Sequence, residues 1–99
     1  MLFALTWVPH GDQSEERDKR MLKLFTSWTP PKGVEFKGFY DYADCHGGVA
    51  IIEASSSEVI LEATAPWAAY LAFQMRPIVP SDKAAAIFQK TQAWRDGIK

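Results

Sequence analysis

The chain has little of what marks several classes of protein. Its 99 residues include one cysteine, so no internal disulfide forms and no oxidising compartment is indicated. Eleven basic residues against twelve acidic ones give a net charge of −1, without the basic surplus typical of nucleic-acid binding. The apolar start, MLFALTWV, is too short to span a bilayer and has no signal-peptide features. We therefore expect a cytoplasmic protein that binds neither nucleic acid nor membrane.

Motifs that mark common chemistries are also missing. The sequence has no internal repeat, no Gly-rich phosphate loop, no nucleotide-binding fingerprint and no local context of a Ser-His-Asp enzyme. We predict no metal site and no resident cofactor. A haem ligated by either histidine, His10 or His46, is an alternative that stays open.

The residues that are present are typical of one globular domain covering residues 1–99. Hydrophobic residues make up 47% and charged residues 23%, and aromatic residues reach 13% with four tryptophans. Turn-forming stretches divide the chain into seven elements. The patterns predict strands at 1–8, 34–43, 48–54 and 71–79, and helices at 13–28, from 55 to about 66, and 81–96.

Helix starts are indicated by capping-box spacings. Asp12 with Glu15 opens the first helix, and Ser55 with Glu58 opens the second. Ser81 is expected to cap the third. The second half of the first helix carries an apolar stripe that we expect to pack deeply: Met21, Leu22, Leu24, Phe25 and Trp28.

The element order β-α-β-β-α-β-α predicts an α+β, ferredoxin-like βαββαβ fold with an extra C-terminal helix at 81–96. The expected antiparallel sheet has the order 4-1-3-2, with both main helices on one face. Strands 1 and 3 are apolar on both faces, so the uncovered face is an apolar patch that a monomer rarely tolerates. A second copy packing sheet to sheet is the simplest cover. The third helix folding over the face is the competing one.

Three stretches carry a resemblance to a known family: MLFALTWVPHGD, PPKGVEFKGFYDYADCHGGVAIIEA and PWAAYLAFQMRPIVPSDKA. In chain order they contain W-x-P after the first strand, Glu at the end of the third strand, and Trp before a strand that closes on P-x-x-P. Over roughly residues 1–86 the chain resembles a family of short bacterial proteins of unknown function in the dimeric α+β barrel superfamily. That resemblance implies a homodimer through the sheet face. The superfamily includes monooxygenases of aromatic polyketides, haem-degrading enzymes and muconolactone isomerases, but no catalytic residue carries over.

The stretch DCHGG, residues 44–48, joins strands 2 and 3. Gly47 and Gly48 supply the positive φ that a hairpin turn needs, and we interpret the stretch as a turn. The alternatives are a thiol nucleophile at Cys45 or a metal site between subunits. Taking strands 1 and 3 as parallel, we expect His10 and His46 at opposite ends of the sheet, roughly 20 Å apart at ~3.3 Å per residue.

The same topology predicts a site at the other end of the sheet. We expect a histidine, a carboxylate and three aromatic residues to converge there, with Glu35 beside them: Trp7, His10, Glu53, Trp67 and Tyr70. His10 and Glu53 are the candidate catalytic, proton-handling pair, and the aromatic residues are the candidate ligand-binding walls. The competing interpretation is that the two tryptophans are core and that Glu53 caps a helix or pairs with a basic residue.

Two hypotheses of function follow. In the first, the dimer binds an aromatic or hydrophobic small molecule, as a binder or as a cofactor-independent monooxygenase- or isomerase-like enzyme. In the second, it is a non-enzymatic dimer that regulates or bridges a partner protein. A cavity at the His10 edge is the feature expected of the first. A filled core with an exposed hydrophobic stripe on the third helix is expected of the second.

Overall fold

The computed structural model describes residues 1–99 and has the α+β element order that the sequence predicts. A short 3-10 turn, Ala65–Trp67, follows the second helix because Pro66 cannot continue it. The strands and helices are β1 (Leu2–Pro9), α1 (Glu15–Ser27), β2 (Val34–Asp41), β3 (Gly48–Ala54), α2 (Ser57–Thr64), β4 (Leu71–Pro77) and α3 (Ser81–Asp96).

The four strands form one antiparallel sheet in the order β2-β3-β1-β4. Counted from the β4 edge, this is the predicted order 4-1-3-2. The predicted direction of β3 is wrong, because β3 runs antiparallel to β1, with Leu2 opposite Glu53 and Trp7 opposite Gly48. In this fold β1 and β2 are parallel and β3 returns between them by a hairpin, so it opposes both. The end of β1 therefore lies beside the start of β3.

The helix caps lie one or two residues from their predicted positions. Ser14 caps α1 by accepting a hydrogen bond from the backbone N–H of Arg17, in place of Asp12. Ser56 caps α2 in the same way, in place of Ser55. Pro80 precedes α3 and provides no side-chain cap.

The core is a single layer between the sheet and α2, formed by Phe3, Leu5, Trp7, Ala50, Ile52, Ala54, Val59 and Ile60. Helix α1 contributes no buried residue, so the expectation that its second half packs deeply is wrong. Its apolar stripe faces the sheet, but large aromatic side chains hold the helix away from the strands. A space therefore remains beneath α1.

Strand β2 contains a β-bulge that changes which residues face the helices. Phe36 pairs with Ile52 and Gly38 pairs with Ile51, which leaves Lys37 as an extra residue. The alternation reverses at that point, so Phe39 joins Phe36 on the helix-facing side. Tyr40 lies on the opposite face and is exposed.

The other face of the sheet, here called the open face, is covered by no element of the chain. It carries Ala4 and Thr6 of β1 beside Ile51 and Val49 of β3. Helix α3 does not fold over it, because it projects from the body without any buried residue. The molecule measures 62 × 29 × 19 Å, and its radius of gyration of 17.9 Å exceeds the ~13 Å of a compact chain of this length.

Helix α3 presents exposed apolar side chains along one stripe, at Ile87, Phe88 and Trp94. Neither α3 nor any other helix is both long enough and apolar enough to cross a membrane.

Candidate functional site

An apolar cavity of about 430 Å³ lies between α1 and the helix-facing side of the sheet. Residues of β1, β2 and β4 form its floor: Leu5, Trp7, Phe36, Phe39, Leu71 and Phe73. Residues of α1 form its roof: Met21, Leu22, Phe25 and Trp28. Ala63 and Trp67 close one side, and the polar part of the lining is Asp18, Asp41 and Thr64. The volume falls within the ~300–1,000 Å³ of small-molecule sites.

Seven aromatic side chains of the lining form one connected network. Trp28 meets Trp67 edge-on with ring centroids 5.6 Å apart, and Phe25 lies 6.1 Å from both Phe39 and Trp67. Trp7 lies 5.4 Å from Phe39 on the floor. Tilted and edge-on pairs at these distances are favourable aromatic geometries. Roof and floor are therefore joined by rings across the cavity, rather than by close packing of helix on sheet.

The roof follows from the spacing of residues in α1. Asp18, Met21, Leu22, Phe25 and Trp28 recur at intervals of three and four, which places them along one face of a helix. The basic residues between them, Lys19, Arg20 and Lys23, are exposed, whereas Leu24 is half-buried. Asp18 thus takes the first position of a stripe that is otherwise apolar.

The floor depends on close approach of backbone to Trp7. A Cβ at Gly48 would collide with the Trp7 ring and with the Tyr40 carbonyl. A Cβ at Gly47, where φ is +105°, would collide with the Trp7 carbonyl. The two glycines therefore let Trp7 pack closely against the start of β3, where it is 8% exposed.

His10 lies outside the cavity, just beyond the end of β1. Its Nε2 is 2.8 Å from the Ala68 carbonyl, and its backbone N–H donates to the Tyr70 carbonyl at 3.0 Å. Its ring is exposed. His10 therefore ties the end of β1 to the turn before β4.

Arg17 reinforces this connection from α1. Its guanidinium donates to the carbonyls of His10, Asp12 and Tyr70, and it lies over the Tyr70 ring, 5.2 Å from the centroid. Tyr70 is thereby engaged as a cation–π partner and is not part of the cavity wall. Of the three predicted aromatic walls, Trp7 and Trp67 line the cavity and Tyr70 does not.

Glu53 lies at the opposite end of the sheet from His10, so the predicted pairing of these two residues is wrong. Glu53 is opposite Leu2 in the register, five positions from Gly48 and Trp7, or about 17 Å along the strand. Its carboxylate is 2.6 Å from the amine of Met1. The error has one cause, the assignment of β1 and β3 as parallel. Glu35 does lie beside Glu53 in the register, at that opposite end.

The DCHGG stretch has the geometry of a turn. The Asp44 carboxylate accepts a hydrogen bond from the backbone N–H of His46 at 3.0 Å. The backbone N–H of Cys45 donates to the Tyr42 carbonyl at 3.1 Å. Positive φ occurs at Gly47, as expected, and at Cys45 (+66°) in place of Gly48. Because β3 is antiparallel to β1, His46 lies at the same end of the sheet as His10, not at the opposite end. No group of three or more histidine, cysteine or acidic side chains is arranged to hold a metal ion.

Comparison with known protein families identifies the family to which this chain belongs. The sequence pattern of a domain of unknown function, DUF3303, matches residues 1–92. The chain belongs to the DUF3303 family. No curated protein matches the chain. The DUF3303 match extends into α3, so most of that helix belongs to the family domain. The match is longer than the resemblance described from the sequence, which covers roughly residues 1–86.

Several residues of the cavity in this DUF3303 domain were not singled out from the sequence as site residues. Met21, Leu22, Phe25 and Trp28 were recognised as an apolar stripe but interpreted as core. Phe39 and Asp41 were missed because the bulge places them on the helix-facing side. A glycine inside a strand, here Gly38, is the sequence signal that indicates such a bulge.

Proposed function

We propose that the protein binds an apolar, ring-containing small molecule in the cavity beneath α1. The observation that carries this proposal is the lining, in which twelve of fifteen residues are hydrophobic and seven of those are aromatic. Aromatic walls on several elements provide flat apolar surfaces at varied angles, which suit ring systems. The burial of apolar ligand surface supplies the affinity.

The roof of the cavity supports this proposal because α1 packs only loosely against the sheet. Helix α1 has no buried residue and reaches the sheet through aromatic rings. Arg17 anchors its first turn, whereas its second half has no comparable polar anchor. Elements with few buried apolar contacts open at low free energy. A ligand can therefore enter by displacement of the C-terminal half of α1 while the sheet stays rigid.

Binding, rather than turnover, is the function that we propose. A monooxygenase- or isomerase-like reaction needs a group that moves a proton at the bound substrate. The pair expected to do this, His10 and Glu53, lies at opposite ends of the sheet and outside the lining. The proposal therefore keeps the small-molecule ligand and does not include the catalytic step.

The experiment is an NMR titration with naphthylmethanol, a neutral two-ring probe, observed at the indole N–H signals of the four tryptophans. Trp7, Trp28 and Trp67 line the cavity, whereas Trp94 lies on α3 and is an internal control. We expect saturable shifts of the first three signals and none of the Trp94 signal. No saturable shift at all, or a shift confined to Trp94, would contradict the proposal.

A matched pair of variants sharpens this titration. Phe39 is a floor residue with 42% exposure, and Phe88 is an exposed residue of α3 with 67% exposure. Phe39→Ala removes a ring from the cavity and is expected to weaken probe binding about two- to tenfold, the loss of one aromatic contact. Phe88→Ala makes the same chemical change away from the cavity and should leave the affinity unchanged.

A second candidate function, pairing of two copies through the open face, is favoured by the position of α3. The chain leaves both the open face and the α3 stripe without a partner. Small residues on β1, Ala4 and Thr6, permit a second sheet to approach to the usual ~10 Å. A two-fold axis along the strands would set the β4 edge of each sheet over the β2 edge of the other.

Sedimentation velocity tests this pairing. We expect the wild-type protein to be a dimer at micromolar concentration and Ile51→Lys, in the centre of the open face, to be a monomer. Leu61→Lys is the control, because Leu61 is exposed on α2, and it should leave the dimer intact. A wild-type monomer across the concentration range would exclude this second candidate.

A further inference from the structure

We propose that the ligand of the cavity beneath α1 is a ring-containing molecule that carries a positively charged group, such as a protonated amine. This inference rests on the proposed function and adds the charge of the ligand to it. It follows from which polar side chains line the cavity and from what they contact.

The two carboxylates of the lining lie on the cavity-facing sides of their elements. Asp18 precedes Met21 and Leu22 by three and four residues, which places it on the same face of α1. Asp41 follows Phe39 by two residues in β2, which places it on the same face of the sheet. One acid therefore belongs to the roof and the other to the floor.

Neither carboxylate has a partner within the chain. The two ion pairs of the protein join the Met1 amine to Glu53 and Lys37 to Glu35. The remaining polar residue of the lining, Thr64, already donates its hydroxyl to the Ile60 carbonyl at 3.1 Å. No lysine, arginine or histidine is among the lining residues. Both acids are exposed, so they stay hydrated in the free protein at little cost.

The two basic residues next to Asp18 in the chain, Arg17 and Lys19, form no ion pair with it. The Arg17 guanidinium is bound to the carbonyls of Asp12 and Tyr70 at 2.9 and 2.6 Å, and Lys19 is exposed. The faces of the aromatic rings in the lining are themselves regions of negative potential, which attract a cation. The cavity thus combines apolar walls with two carboxylates that have no ion-pair partner, and this combination favours an amphipathic cation over a neutral molecule or an anion.

The test compares three probes that share one ring system and differ in charge: naphthylmethylamine, naphthylmethanol and naphthoate. Affinities come from the indole signals of Trp7, Trp28 and Trp67 at neutral pH and low salt. We expect the protonated amine to bind at least about tenfold more tightly than the carboxylate, with the alcohol between them. Added salt should reduce this ratio, because the carboxylates are exposed and screening weakens their attraction.

The double variant Asp18→Asn, Asp41→Asn is expected to bring the three affinities to within about threefold of one another. Asp82→Asn, Asp96→Asn changes the net charge equally on α3 and should keep the wild-type order. Equal affinities in the wild type, tighter binding of naphthoate, or a preference that survives the Asp18 and Asp41 changes would overturn the inference and leave the proposed function standing. Failure of all three probes to bind would overturn both.

Discussion

Phe36 and Phe39 face the same side of the sheet with ring centroids 5.3 Å apart, although three positions separate them in one strand. In a regular strand an odd separation places two residues on opposite faces. The extra residue at Lys37 removes this conflict, since Phe36 pairs with Ile52 and Phe39 pairs with Ala50. The bulge is therefore what brings a second aromatic ring, and Asp41 after it, into the floor of the cavity.

Deletion of Lys37 should be tolerated. The remaining residues of β2 then pair with β3 in regular alternation, and the lost contact is an exposed ion pair with Glu35. We expect the free energy of unfolding to fall by no more than about 1 kcal/mol. Deletion of Tyr40 shortens the strand equally but moves either Phe39 or Asp41 to the other face, and it should be far more damaging. Urea unfolding measures the free energy of unfolding of both variants. Equal losses in the two would contradict the view that the bulge at Lys37 brings Phe39 and Asp41 to the helix-facing side.

Gly48→Ala should destabilise the fold by about 1–3 kcal/mol, the usual effect of overpacking. The added Cβ collides with the Trp7 ring and the Tyr40 carbonyl, so the floor of the cavity must shift. Gly97→Ala is the matched control, because its nearest neighbour, the Trp94 carbonyl, lies 3.4 Å away. Thermal unfolding should show a lower midpoint for the first variant and a change within about 0.5 kcal/mol for the second.

Arg17→Lys should destabilise the anchored end of α1 by about 1–2 kcal/mol. A lysine ammonium cannot reproduce the planar fork that reaches the Asp12 and Tyr70 carbonyls together and lies over the Tyr70 ring. Arg20→Lys, on the exposed side of the same helix, is the control and should be neutral. Amide hydrogen exchange in residues 15–20 measures the effect, and unchanged protection in the first variant would show that the contacts do not anchor the helix.

Cys45→Gly should stabilise the protein by about 1 kcal/mol if DCHGG is only a turn. Cys45 adopts a φ of +66°, which glycine accepts without the steric penalty of a Cβ. His46→Gly lacks this gain and loses the ring contact with the Asp44 carbonyl at 2.9 Å. Loss of probe binding in Cys45→Gly, without loss of stability, would instead assign the thiol a role at the site.

Much of the fold was predictable because it depends on local pattern. The bounds of β3 and α3 agree with the predicted 48–54 and 81–96, since flanking turn residues mark their ends. The sheet order follows from the sequence of elements and from the apolar faces of β1 and β3. The caps at Ser14 and Ser56 were missed by one or two positions because neighbouring residues of the same type compete for that role.

The site was only half predictable because it depends on features that are not local. Trp7 and Trp67 were assigned as walls, and both line the cavity. Glu53 was assigned to the wrong end of the sheet because β1 and β3 were taken as parallel, although neighbouring strands of the predicted antiparallel sheet run in opposite directions. Phe39 and Asp41 were missed because a single-residue bulge reverses the alternation for everything after it.

Intermolecular nuclear Overhauser effects between naphthylmethanol and the labelled protein test the central claim, binding in the cavity beneath α1, most directly. The account predicts contacts from the naphthyl protons to the Met21 methyl group and to the rings of Trp67 and Phe73, which line roof, side and floor. Contacts confined to Phe88 and Trp94 of α3, or to Val8 on the open face, would contradict it and would show that the probe adheres to an exposed apolar surface.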